Sequence, residues 1–257
     1  MMKNNLPLLY RDDHYLVVNK PAGLLVHRSD LDRHETHFAL QMARDLVGRH
    51  VYPVHRLDRP TSGALLFALS PEAARLAADA FTSGAIRKTY LAVVRGVAEE
   101  DALIDYPLRE LPDRFEGDGD IRSREAVTTF RRLALVELPL PVGNYPTARY
   151  SLLEVSPRTG RRHQIRRHLK HVFHPIIGDS TYGDGRHNRL FRDVFRCSRL
   201  LLHAVEIVLP HPWTREIVTI TAPLDGEFAA VMDLLGWKAD IPVGLLTAPA
   251  LRATGMS

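Results

Sequence analysis

Apolar residues fall mainly in short runs of β-forming side chains that end at Pro or Gly, and they take helical spacing in only four places. The run from His14 to Asn19 predicts a strand stopped by the Lys20-Pro21-Ala22-Gly23 turn, with Leu24 to His27 as a second strand. Val51 to Leu57 and Ala64 to Leu69 predict two core strands on either side of a polar turn. Further strands are expected over Ile86–Val94, Ala126–Val136, Arg149–Val155, Arg199–Leu209 and Glu216–Ala222, the last two as a hairpin turning at His211-Pro212-Trp213-Thr214. Helical spacing predicts a helix over Glu35–Val47 that stops at Gly48. A second starts at Ser70-Pro71-Glu72, with Ser as N-cap, Pro in the first turn and an acid at the positive helix end; Ala73, Leu76, Ala77, Ala80 and Phe81 form its apolar stripe. A third opens at Thr159-Gly160-Arg161 with Ile165, Leu169 and Val172 on one face, and a fourth covers Phe228–Leu235.

Two stretches break this pattern. Asp105 to Arg124 holds Gly117-Asp118-Gly119-Asp120 at its centre and reads as a solvated acidic connection; it lacks the closing Glu of a calcium-binding loop. Leu138 to Pro146 is a Pro/Gly break too short to be a domain linker. The fold class expected is therefore α/β (α+β), with many strands and few helices. Residues 1–237 are read as a single elongated catalytic domain, in two halves around a cleft, and 238–257 as a peripheral tail.

Composition narrows the function. In 257 residues, 45% hydrophobic content suits a globular core, and no apolar run approaches the ~20 residues that span a bilayer. The N-terminus offers no signal-peptide core, so a cytoplasmic protein without membrane attachment is expected. One cysteine, Cys197, excludes an internal disulfide and a Cys-based zinc site. The net charge is only +4, but it is unevenly spread: Pro157 to Gly178 contains no acid, and it carries Arg158, Arg161, Arg162, Arg166, Arg167 and Lys170 with four histidines. Such a segment faces phosphates and repels metal ions, so His163, His168, His171 and His174 are not read as ligands, and no metal is expected. Hydrolase elbows of the Gly-x-Ser-x-Gly type and Gly-rich nucleotide loops are absent, and no cofactor is expected.

The chemistry centres on His55-Arg56-Leu57-Asp58-Arg59-Pro60-Thr61-Ser62-Gly63. Pro60 forces the chain out of regular pairing, which puts Asp58 in a loop ahead of a buried strand. A carboxylate between two guanidiniums is expected to stay ionised, as a nucleophile or a base requires. This segment resembles the active-site segment of the RluA-type pseudouridine synthases, which isomerise uridine in RNA. Four more segments are similar to that family's, in its order: Asn19 to Gly23 with Val26-His27, Lys88-Thr89-Tyr90, Thr159 to Arg166, and His174 to Asp179.

The resemblance implies a pseudouridine-synthase catalytic domain, with a mixed, mainly antiparallel sheet flanked by helices and loops, and no S4-type domain ahead of it. It implies Asp58 as the catalytic residue, acting as nucleophile at C1′ or as base toward the ribose, with Arg166 paired to it. By the same resemblance, Tyr90 stacks on the flipped uracil and assists removal of the C5 proton, Arg56 fills the space the base leaves, and Ile165 lines the pocket. Arg161, Arg162, His163 and Gln164 complete the substrate-binding set. His27-Arg28-Ser29, Leu31-Asp32-Arg33, Asp58 to Thr61 and Arg166 to Leu169 most resemble the branch assigned to uridine 65 in the T stem of tRNA. The partner expected is RNA, tRNA first, and the chain is expected to act as a monomer. Ribosomal RNA as target, or a non-catalytic RNA-binding protein or chaperone, are the rival readings.

Overall fold

The computed structural model describes residues 6–27, 37–110 and 122–246, and within these the chain divides into two compact units. Among the described residues no helix is long and apolar enough to cross a membrane.

The first unit takes residues up to Lys88, residues 202–230 and the chain from Ile241 onward. Its elements are β1 (Leu8–Arg11), β2 (Tyr15–Lys20), α1 (Ala39–Val47), β3 (Tyr52–Pro53), β4 (Ser62–Ala68) and α2 (Pro71–Thr82). The second unit, 89–201 with 231–240, holds most of β5 (Arg87–Arg95), then β6 (Asp101–Asp105), β7 (Leu108–Arg109), β8 (Ser123–Arg124), β9 (Val127–Leu138), β10 (Ala148–Pro157), α3 (Gln164–His171) and α4 (Gly185–Val194). The chain then returns to the first unit with β11 (Leu202–Pro210) and β12 (Ile217–Thr221), and ends with α5 (Gly226–Leu234) and α6 (Val243–Leu246).

In the first unit the strands run β1-β2-β4-β11-β12, with β3 on the far end of β4. Pairing is antiparallel except between β4 and β11, which run parallel with His203 opposite Ser62 and Ala204 opposite Gly63. Every residue of β4 is buried, as a central strand covered on both faces must be. One face packs Tyr15, Val17, Leu66, Ile207 and Ile220 against Ala73 and Ala77 of α2. Helix α2 begins as the sequence dictates: the Ser70 hydroxyl accepts the Ala73 N–H at 3.1 Å and Pro71 opens the first turn. In the second unit β5-β10-β9-β6 form an antiparallel run, and α3, with Ile165 and Leu169 buried, packs on β10. The mixed architecture with mainly antiparallel pairing matches the sequence expectation.

Several local expectations give way. Leu24–His27 is not a strand; Leu25 makes one isolated bridge to Phe38. The Leu25 and Val26 carbonyls instead accept the first N–H groups of α1, from Ala39 and Leu40 at 2.8 and 2.9 Å, which that helix start would otherwise leave unpaired. That helix starts at Ala39 after an extended Phe38, while Glu35 lies outside the described residues, as do Arg28 to Arg33 and Gly117 to Asp120. Val51–Leu57 reduces to the two residues of β3, because Pro53 supplies no N–H and the His55 ring, at 2.9 Å, takes the Leu66 N–H that a longer ladder would use. The third helix begins at Gln164, five residues later than Thr159, for reasons given below. Residues 238–246, expected to belong to a peripheral tail, are packed: a 3-10 turn covers Lys238–Asp240, α6 packs on β12, and Ile241 and Leu245 are buried, while the rest of that expected tail lies outside the described residues. Helix α4 and the short strands β1 and β6 were not expected from the sequence.

Candidate active site

Asp58 lies in the turn between β3 and β4, partly buried, and the turn is built from both sides. On one side, the Lys20 side chain is fully buried, and its Nζ donates to the carbonyls of Pro21, Leu24 and Arg59 at 2.9, 2.7 and 3.1 Å. An ammonium has three donors, and all three are spent here. Gly23 and Arg59 add a reciprocal pair, Gly23 N–H to Arg59 O at 2.9 Å and Arg59 Nε to Gly23 O at 3.1 Å. The Asn19–Gly23 and Asp58 segments, which the sequence offered as separate motifs, are therefore one structure.

On the other side, the Asp58 carbonyl accepts the Thr61 N–H at 3.0 Å, closing the turn. The Ser62 hydroxyl meets His203 Nδ1 at 2.7 Å, and His203 Nε2 donates to the Ala222 carbonyl at 3.1 Å, so the buried ring carries its proton on Nε2. Gly63 sits at φ +113, and a Cβ there would stand 2.2 Å from the Ala204 carbonyl oxygen. Only glycine permits that approach. His55 accepts from Leu66 through Nε2, while its buried Nδ1 has no hydrogen-bond partner among the described residues. Burial, helped by Lys88, pushes the His55 pKa down to about 3. Lys88 itself is pushed down by burial, with its ammonium 5.2 Å from the Phe81 ring centroid.

Replacing Lys20 by Met keeps the volume and removes all three bonds. At about 1 kcal/mol for each buried carbonyl left short, Lys20→Met should cost about 3 kcal/mol, or roughly 10 °C in Tm for a chain of this size. Thermal melts check the stability loss. Turnover with stoichiometric RNA should fall with it, because the Asp58 turn loses the ammonium that joins Arg59 to Pro21 and Leu24.

In the second unit, Tyr90 is buried on β5 opposite Val155. Arg166 and Asp179 form a buried two-point ion pair, Nε to Oδ2 at 2.7 Å and Nη2 to Oδ1 at 2.9 Å. Oδ1 also accepts the Thr181 and Tyr182 N–H groups, each at 2.9 Å. Burial pushes the Asp179 pKa up, but the Arg166 and main-chain bonds outweigh it and hold the carboxyl below its usual range. Asn188 of α4 staples the loop by accepting the Gly178 N–H and donating to the Asp179 carbonyl. The Tyr182 ring lies 5.1 Å from the Arg166 guanidinium, and its hydroxyl meets His163 Nδ1 at 3.0 Å.

Gln164 explains the late start of α3. Its Oε1 takes the Thr159 hydroxyl and the Arg161 N–H, and its Nε2 donates to Val127 O and Thr128 Oγ1, so every polar position of the amide is engaged within the unit. Residues 159–162 are thereby held as a turn, and His163 enters the helix in a left-handed conformation at φ 56. Ile165 is buried, and Arg161 and Arg162 are exposed, the former anchored by Nε to the Glu125 carbonyl at 2.9 Å. Arg56 is exposed beside Asp58. Thus the first unit carries Arg56 and Asp58, and the second carries Tyr90, Arg161 to Arg166 and a group the sequence analysis gave no role, Asp179. The Gly178-Asp179-Ser180-Thr181 run, an Asp bonding N–H groups two and three residues on, is the signal that marks it. Among the described residues no group of three or more His, Cys, Asp or Glu is placed to hold a metal ion.

The family model that matches residues 14–171 is that of RNA pseudouridylate synthase. The chain belongs to this family. It is an isomerase that converts uridine to pseudouridine in RNA. Among relatives of this synthase, tRNA pseudouridine synthase C of Vibrio cholerae is 49% identical over 240 residues, covering 92% of this chain and 98% of that protein. Its namesake in Haemophilus influenzae is 50% identical over 237 residues, covering 91% and 99%. The solved human RNA Pseudouridylate Synthase Domain Containing 1 superposes with a TM-score of 0.66 at 28% identity, over 92% of this chain and 87% of that one. Human RNA Pseudouridylate Synthase Domain Containing 4, at 23% identity, shares the fold with a TM-score of 0.67, over 90% and 93%.

Proposed function

We propose that this synthase isomerises uridine 65 in the T stem of tRNA, with Asp58 as the catalytic carboxylate. The near-50% identity to proteins named tRNA pseudouridine synthase C, over nine-tenths of the chain, carries the substrate. The construction of the Asp58 turn supports the catalytic role. Lys20, Arg59, Ser62, His203 and Gly63 converge on a short surface turn whose side chains a stable core does not require. Rigid support around an accessible acid is what a reaction at a sugar carbon needs.

The reaction breaks N1–C1′, turns the uracil and joins C5 to C1′; the C5 proton leaves and N1 is protonated, so nothing is gained or lost overall. Asp58 acts at the ribose. Tyr90 supports the flipped uracil and assists departure of the C5 proton. Arg166, oriented by Asp179 and Tyr182, supplies the positive charge that keeps the site anionic-competent. Arg56 occupies the space the base vacates, Ile165 lines the pocket, and Arg161, Arg162 and His163 hold the strand, with Gln164 fixing their turn. In this reading residues 1–237 form one catalytic domain, working as a monomer in the cytoplasm where tRNA matures.

The test is a pseudouridine map by carbodiimide treatment and primer extension, on unmodified tRNA transcripts and, separately, ribosomal RNA. A single new stop at position 65 of tRNA is the expected result. A stop in ribosomal RNA alone overturns the substrate, and no stop in either, with RNA binding intact, overturns the enzyme reading of this chain.

A further inference from the structure

The helix that carries Arg166 ends in a feature that neither packing nor backbone preference accounts for. After the last turn of α3, the Phe173 N–H donates to Lys170 O at 3.0 Å and the His174 N–H to Leu169 O at 2.8 Å, which closes the helix by a chain reversal. The reversal places Phe173 in the left-handed region, φ 65. That position normally falls to Gly or Asn, because a side chain there crowds its own backbone. Yet Phe173 is 78% exposed, so no core burial offsets the strain. Strain retained with nothing gained in the fold is a mark of function.

Its surroundings name the partner. Lys170 and His171 are exposed beside it, and no acid occurs between Pro157 and Gly178. The nearest carboxylate engaged here, Asp184, is committed to Arg95 at 2.7 Å, whose Nη2 reaches the Phe173 carbonyl. The His171 ring stacks on Tyr106, centroids 3.6 Å apart and planes 18° apart, and Tyr106 is 42% exposed. This ring pair rests on a buried support: His168 Nε2 donates to the Tyr106 carbonyl at 2.9 Å and its Nδ1 meets Thr128 Oγ1 at 2.9 Å. Among the described residues, Asp105, next to Tyr106, is the acid that acts on His168. Isolated exposed rings among cations fit a nucleic-acid strand; a protein interface would gather apolar area and shed charge.

We propose that the C-terminal end of α3 is a second RNA contact, in which Phe173 stacks on an unpaired nucleobase of the substrate and Lys170 neutralises a neighbouring phosphate. It lies seven residues beyond Arg166, about 10 Å along the helix, and so reads RNA away from the target uridine. The inference rests on the action on RNA proposed above.

Phe173→Gly separates stacking from structure, since glycine relieves the backbone. Its thermal midpoint should equal or exceed that of the unaltered chain, while Kd for a tRNA transcript rises roughly 10-fold and the kinetic loss falls on KM more than on kcat. Phe173→Trp should bind within about 2-fold of the unaltered chain. Lys170→Ala should weaken binding and lower the salt slope of log K by about one, which Phe173→Gly leaves unchanged. Unaltered tRNA affinity in Phe173→Gly, or a Trp variant as weak as the Gly variant, overturns the stacking contact. Loss of self-association in Phe173→Gly by sedimentation, with tRNA affinity intact, reassigns the surface to protein. If the unaltered chain neither binds nor modifies tRNA, the proposed function fails first; turnover that is indifferent to Phe173 sinks only this contact.

Discussion

Asp58→Asn should abolish pseudouridine formation, by more than about 1,000-fold in single turnover, while Kd for tRNA stays within a few-fold. Asn has the shape of Asp and lacks the charge, so the substitution isolates the chemistry. The turn that carries residue 58 is held by other groups: the Lys20 ammonium on Arg59 O, the Gly23–Arg59 pair, and Ser62 on His203. Its main-chain bond, Asp58 O from the Thr61 N–H, survives the exchange. Binding draws on phosphate contacts from the basic segment, which are equally untouched. Tritium released from C5 of labelled uridine, measured with enzyme in excess over tRNA, reads the chemical step. Residual turnover within about 10-fold of the unaltered chain would remove Asp58 from the reaction.

The second large effect is on Asp179. Asp179→Asn puts an amide N–H₂ against the Arg166 donors and removes the charge that balances a buried guanidinium, whose side chain is 4% exposed. Breaking one partner of a buried pair costs about 3–5 kcal/mol, which lowers Tm by about 10 °C or more. Activity should fall beyond the loss of folded protein, because Arg166 loses one of its two bonds to residue 179 and the charge that holds it, and with them its aim. Acid gives a second reading of the same pair. The folded Asp179 carboxyl is held below its usual range, so its stabilisation is complete above the unfolded value near pH 4 and disappears as pH falls through the folded one. The gap in stability between the unaltered chain and Asp179→Asn should therefore narrow below about pH 4. A downward shift at the buried histidines acts earlier. His55, His168 and His187 are all pushed down by burial, so their contribution begins to fade as pH drops below about 6.5. Urea unfolding from pH 7 to pH 3 resolves the two limbs.

Much of this was legible in the sequence, and the reasons differ by element. Helix α2 declared itself because a Ser N-cap, a Pro and an apolar stripe agree. Strand β4 was plain because burial on both faces needs an unbroken apolar run. The five motif segments located the Asp58 turn and the Arg166 helix. What periodicity could not show is where polar groups end up. Lys20 looks like a turn lysine and is a buried three-point tie. Gln164 looks available for RNA and is fully engaged in holding its own loop. Leu24–His27 has strand composition, but its carbonyls cap α1. Helix α4 has the Asp184 N-cap signature, accepting the Arg186 N–H at 2.9 Å, yet buries little beyond Phe191, so no stripe announces it. In each case the decisive partner lies far along the chain or is a main-chain atom, and neither leaves a local spacing.

The Ser62–His203 bond joins positions 141 residues apart. Beside it, Gly63 reaches its close approach only to a strand made well after it. At about 5–20 residues per second, a ribosome needs roughly 7–28 s to travel from the catalytic loop to the strand that completes it. During that interval the nascent chain already displays Asp58 but lacks the wall that fixes it. A chain cut short anywhere before residue 202 should then be inert toward RNA.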